Sequence, residues 1–282
     1  MKINKKILSF GLLLFLLLGL IFPFGVSTAT TLTVITPVLY TSTTVTQSKT
    51  FVWNYGKDNY TWQIEVPTNL LKADRTKSAY VIKFFNSGGD IQQQMLASAN
   101  PLMKTMLQEN YTTATGGDYL AWTKEPSNVY YVKKLALSLN TTAKKLGYDY
   151  FHEAEFILTF VGTALPYRIT YVPELPAQTL WDRGDCKGKT ILYASLLEAL
   201  GYKVAFLAFP ATGVATVGHE AVGVAFTKQQ MTQTAQFSAN SGCSYYLKNG
   251  IKYYFAETTT HGWLLGEKSS TLPTSALVYP IN

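Results

Sequence analysis

Residues 184–202 read GDCKGKTILYASLLEALGY, and this stretch decides the fold. Asp185 is a good N-cap type, and Ile191, Ala194, Leu197 and Leu200 follow at helical spacing. Gly201 supplies the stop. The spacing therefore predicts a helix whose first turn carries Cys186. There the unpaired backbone N–H groups and the helix dipole favour an anion, which draws a thiol toward thiolate. Lys187 and Lys189 bring further positive charge to the same turn.

Downstream, residues 203–209 form an apolar run that reads as a strand, and 213–218 a loop. Residues 219–226 read as a second strand, 251–257 as a third and 263–265 as a short fourth after a turn. Upstream, 61–66 and 80–85 read as strands. Asp90 caps a helix from 91 that breaks at Asn100-Pro101, and helix resumes to about 110. Ser127 caps a helix to 146, and Asp149 caps another over 150–161. Residues 165–180 hold three prolines and read as extended or loop. Helices precede an antiparallel meander on which a helix packs. The expected class is α+β, with an N-terminal helical subdomain.

If the second and third strands pair antiparallel, His219 at the start of one meets Glu257 at the end of the other. Imidazole and carboxylate then come within reach, with Cys186 as nucleophile, His219 as base and Glu257 as orienter. Each residue alone has an ordinary reading: a surface or core histidine, a solvated glutamate, a small buried cysteine. A Cys186–Cys243 disulfide in a structural domain is a further alternative. His152, Glu153 and Glu155 share a helix but make no zinc motif, so no metal or other cofactor is expected. His261 is a second candidate base.

Thr179-Leu180, Gly184-Asp185-Cys186 and 196–202 together resemble the nucleophile helix of the transglutaminase-like superfamily. Gly218-His219-Glu220-Ala221-Val222 resembles its histidine strand. Residues 253–259, followed by Gly262-Trp263, resemble its acid strand. The resemblance covers roughly 155–267. It implies a papain-like core with the catalytic triad Cys186, His219 and Glu257, acting on amide bonds of a protein or peptide through a thioester. Glu257 departs from the commoner Asp. Hydrolysis, as a peptidase or amidase, is expected ahead of transfer to an amine. The oxyanion would be held by the Cys186 backbone N–H, with Gln178 or Trp181 as side-chain candidates. The competing reading is a catalytically inactive surface-binding module of the same superfamily.

The chain ends are read from composition. Lys2, Lys5 and Lys6 precede the apolar run 7–26, so residues 1–30 are expected to be a signal peptide or an N-terminal membrane anchor. With the lysines inside, the body would lie outside the cytoplasm, either as a single-span protein of the cell membrane or secreted. Residues 31–50 read as a Thr-rich stalk, 51–150 as an N-terminal strand and helix region, and 151–282 as the catalytic core. Sequons at Asn59, Asn110 and Asn140 agree with an outside location. The chain has 282 residues and is 47% hydrophobic, enough to build a core and too much for a disordered protein. The formal charge of +7 drops by three, to +4, once the leading lysines are discounted. No basic run with interleaved aromatics occurs, so no nucleic-acid partner is expected.

Overall fold

The computed structural model describes residues 30–34, 44–109, 117–211, 218–232 and 242–282. The helix read from 184–202 is α8 in chain order, Cys186–Ala199. Every residue from Gly188 to Leu197 is buried, so it is a core helix without a solvent face. It packs between two helices, α5 (Pro126–Lys145) and α7 (Pro176–Asp182), and a five-stranded antiparallel sheet.

That sheet holds β4 (Lys203–Phe209), β5 (His219–Ala225), β6 (Tyr245–Lys248), β7 (Ile251–Ala256) and β8 (Leu277–Pro280), in the order β6-β7-β5-β4-β8. Both faces of its centre are covered. Val204, Phe206, Val222 and Val224 join the helical core, while Leu207, Phe209, Tyr253 and Phe255 form a second cluster under Leu272 and Ala276. Burial on both sides explains why these strands read as continuous apolar runs rather than alternating ones. Gly223 allows close approach at the centre: a Cβ there would stand 2.6 Å from Tyr253 Cβ.

A second sheet, ordered β1-β3-β2, consists of β1 (Thr31–Thr33), β2 (Thr46–Tyr55) and β3 (Asp58–Pro67). Its Phe51, Trp53 and Trp62 rings meet Phe160 in the π-helical turn Phe160–Ala164 that follows α6 (Tyr150–Thr159). The class is α+β, and Thr31–Asn282 is one compact unit.

Several expectations are corrected. The Thr-rich segment is not a stalk where it is described: it supplies β1 and the start of β2, and Val34 is buried. Residues 80–85 close the helix α1 (Thr68–Phe85) rather than forming a strand. The 165–180 stretch contains the start of α7, because Pro176 occupies its first turn, where no backbone N–H donor is needed. Helix α5 is capped by Glu125, whose side chain accepts the Asn128 N–H, and not by Ser127. Residues 263–265 form no strand. Helices α2 (Gly89–Ser98) and α3 (Pro101–Gln108) do break at Asn100, which caps α3.

The expected membrane span, and with it a single-span place in the cell membrane, is corrected too. Among the described residues no helix is long and apolar enough to cross a membrane. The long ones, α1 and α5, are amphipathic and carry several lysines each. The apolar run 7–26 itself lies outside the described residues.

Candidate functional site

Cys186 stands at the first position of α8 because Asp185 caps it. The Asp185 carboxylate accepts the Lys187 N–H at 3.0 Å and the Gly188 N–H at 3.3 Å. Its second oxygen takes the Thr170 N–H at 3.2 Å and the Thr170 hydroxyl at 2.9 Å, and also pairs with the Lys187 ammonium. Thr179 of α7 fits tightly against this turn. A Cβ at either Gly184 or Gly188 would come within 2.8 Å of its side chain.

His219 opens β5, and Glu257 follows the last residue of β7. The antiparallel register Val222↔Ala256 brings that start beside that end. His219 Nε2 and Glu257 Oε2 lie 2.8 Å apart. The other Glu257 oxygen accepts the Thr259 N–H at 2.9 Å and the Thr259 hydroxyl at 2.6 Å. Cys186, half-buried, lies close enough to the same imidazole for its sulfur to raise the ring's pKa. With Nε2 turned to Glu257, Nδ1 is the ring nitrogen left for the thiol. The structure thus brings the three expected site residues together around one ring.

The charges follow from this packing. Burial works to lower the His219 pKa, but hydrogen bonds and negative charge from Cys186 and Glu257 outweigh it and push it up to about 10. Burial works to raise Glu257, and the His219 and Thr259 hydrogen bonds overcome it, so its pKa falls below the usual value. The resting pair at neutral pH is imidazolium and carboxylate.

Tyr167 and Glu220 were not assigned a place at the site from sequence, and Lys189 was read there only as positive charge near Cys186. Lys189, one turn beyond Cys186, is buried and donates to Gly162 O at 3.1 Å and to Thr259 O at 3.5 Å. Burial lowers its pKa to about 8, and Glu257 opposes that. It ties the nucleophile helix to the turn that carries the acid. Its position three residues after Cys186, about one helical turn on, was the available signal. Tyr167 pairs with Gly184 in an isolated parallel bridge. Its phenol stands beside Cys186: burial and nearby negative charge push its pKa up to about 12, while the Cys186 backbone N–H pulls it down. No local signal marks it, because one long-range bridge places it there. Glu220, next to His219, is fully buried, and burial holds its carboxyl well above the usual range. Its Oε2 accepts the Gly117 N–H at 3.4 Å.

The remaining candidates go elsewhere. Gln178 is committed to the Ser78 hydroxyl and to Glu174, and the Trp181 ring lies under the Lys49 ammonium. His152 pairs with Asp149, the cap of α6. Glu153 accepts from Tyr202 and Glu155 from Tyr55, and among the described residues no group of acidic, His and Cys side chains could hold a metal. His261 is exposed. Both cysteines are free, so the Cys186–Cys243 bridge is not formed.

No protein-family model, curated protein or solved structure matches the chain. The chemical reading therefore rests on the geometry and on the three motifs in their order.

Proposed function

We propose that the protein is a cysteine hydrolase of amide bonds, with a papain-like core of the transglutaminase-like kind and the triad Cys186, His219 and Glu257. One observation carries the reading: a half-buried thiol at a helix N-terminus and a carboxylate at 2.8 Å engage the same imidazole. The reaction starts from the form in which the Cys186 proton has passed to His219. The thiolate attacks the amide carbonyl, and a carbon–sulfur bond forms as the carbonyl π electrons move to oxygen. The Cys186 backbone N–H and the Tyr167 phenol, a neutral donor at physiological pH, receive that oxyanion. The tetrahedral intermediate collapses to a thioester as the C–N bond breaks, and His219 gives its proton to the leaving amine. Water then attacks the thioester carbonyl as His219 takes its proton, and collapse of this second tetrahedral intermediate breaks the C–S bond, releasing the carboxylic acid and leaving the thiolate beside the imidazolium. Glu257, anchored by Thr259, holds the ring in place and stabilises its charged form.

The test compares thiols within one chain. Iodoacetamide near neutral pH should alkylate Cys186 far faster than Cys243, and His219→Ala should remove the difference. Cys186→Ala should abolish turnover of a denatured-protein substrate. Equal alkylation rates for the two cysteines in wild type would sink the proposal.

A further inference from the structure

The far half of α8 lines a cavity of about 320 Å³ that the triad does not use, a volume in the range of small-ligand sites. Ser195, Glu198 and Ala199 form its wall on α8, and at spacings of three and four residues they share one face of that helix. Ser195 stands nine residues beyond Cys186, about 13 Å along the helix axis, so the cavity is separate from the thiol. Ser195 is only 6% exposed, and its hydroxyl has no hydrogen-bond partner. Ser138, Thr141 and Thr142 of α5 each place their hydroxyl on the carbonyl four residues back; Ser195 does not. The other inward polar groups are committed. Asn128 gives its amide to Asp74 and Glu125 and takes the Ala177 N–H. The Thr123 hydroxyl donates to Leu120 O, and Lys124 pairs with Glu198. Lys133, exposed at the mouth, has no ion-pair partner among the described residues. Val129, Val132, Pro176 and Ala199 supply apolar wall.

We propose that this cavity binds a small monocarboxylate with an apolar body and a hydroxyl at the end away from the charge. The hydroxyl pairs with Ser195, the body lies against the apolar wall, and the carboxylate meets Lys133 at the mouth. Each part of the class follows from the lining. The buried Ser195 hydroxyl both donates and accepts, and a ligand hydroxyl answers both needs; leaving it unpaired is costly. Lys124 and Lys133 against Glu198 leave one net positive charge, which one carboxylate matches. A phosphate dianion would press a second charge against the apolar wall with no cation to meet it. The site does not depend on the reading of Cys186 as nucleophile.

The test is a ligand-observed NMR titration of the full chain with 3-(4-hydroxyphenyl)propionate. This compound should bind about fivefold more tightly than 3-phenylpropionate, which lacks the hydroxyl. It should bind about threefold more tightly than 2-(4-hydroxyphenyl)ethanol, which lacks the charge. Ser195→Ala should remove the first margin and Lys133→Glu, at an exposed position, the second. Ala199→Phe, which puts a ring into the cavity, should abolish binding; if circular dichroism shows that this variant does not fold, the other two decide. Blocking Cys186 with iodoacetamide should leave binding unchanged. Equal binding of the three compounds, or margins untouched by Ser195→Ala and Lys133→Glu, overturns the proposal. So does loss of binding on blocking Cys186, which would place the ligand at the triad. Failure of the nucleophile reading is separate: it shows as equal alkylation of Cys186 and Cys243, whatever the carboxylates do.

Discussion

Replacing Glu257 by Gln keeps the shape of the side chain and removes its charge, and the structure sets how much that should cost and at what pH. His219 is held at about 10 against an ordinary 6.5. Each tenfold change in that equilibrium is worth ~1.4 kcal/mol, so the site favours the imidazolium by on the order of 5 kcal/mol. Cys186 and Glu257 share that preference, which leaves roughly half to the carboxylate. The sign follows from linkage. A histidine whose folded pKa is raised stabilises the fold fully below about 6.5, and this is lost as pH climbs through about 10. Glu257 runs the other way: its lowered pKa contributes above the ordinary 4.5 and is lost in acid. Lys189, which Glu257 also favours in its charged form, is neutral in the folded state well above about 8. At about pH 6, then, the carboxylate faces two cations, and at about pH 10.5 their charge is largely lost. Urea unfolding of wild type and Glu257→Gln at both values should show the substitution costing on the order of 2 to 3 kcal/mol more at the lower pH. An equal cost at the two pH values would refute the ion-pair account and with it the resting imidazolium.

Asp185→Ala removes a helix cap, worth ~1 kcal/mol, and strands the Thr170 donors and the Lys187 ammonium, so unfolding free energy should drop by on the order of 3 kcal/mol. A loss below about 1 kcal/mol in urea titration would show that the turn holds itself. Gly223→Ala places a Cβ 2.6 Å from Tyr253 Cβ inside a sheet covered on both faces, and thermal unfolding should register a loss of about 1 to 3 kcal/mol. An unchanged midpoint would mean that β5 and β7 can part at no cost.

What was legible in the sequence was set by local signals. The α8 helix has a cap, a stop and an apolar body, and β4, β5 and β7 are apolar on both faces, so their limits stand close to where composition changes. One strong local signal was passed over. Asn249 and Gly250, both at positive φ, make the two-residue turn that joins β6 to β7, the commonest hairpin chemistry. Where the reading failed, the deciding contact lay far away. Residues 80–85 look like a strand because Tyr, Val, Ile and Phe cluster there. The helical stripe of α1 is masked by Asp74 and Ser78 at its buried positions. Those two are tolerable only because Asn128 and Gln178, on other helices, hydrogen-bond them. The Thr-rich start looks like a stalk because its partner strand is residues 59–61.

The same division runs through the site. Cys186, His219 and Glu257 each sit at the end of an element whose limit is locally encoded, so three ends in the right order were enough to place them near one another. Tyr167 and Lys189 depend on tertiary closure: a single bridge to Gly184 for one, carbonyls of a π-helical turn and of the acid turn for the other. The meeting of the three site residues is therefore written in short motifs. Their surroundings, a buried lysine near Glu257 and a tyrosine bridged to the turn before Cys186, are written in how those motifs pack. Substitutions at Lys189 or Tyr167 should accordingly alter the pH dependence of Cys186 alkylation while leaving the His219–Glu257 contact in place.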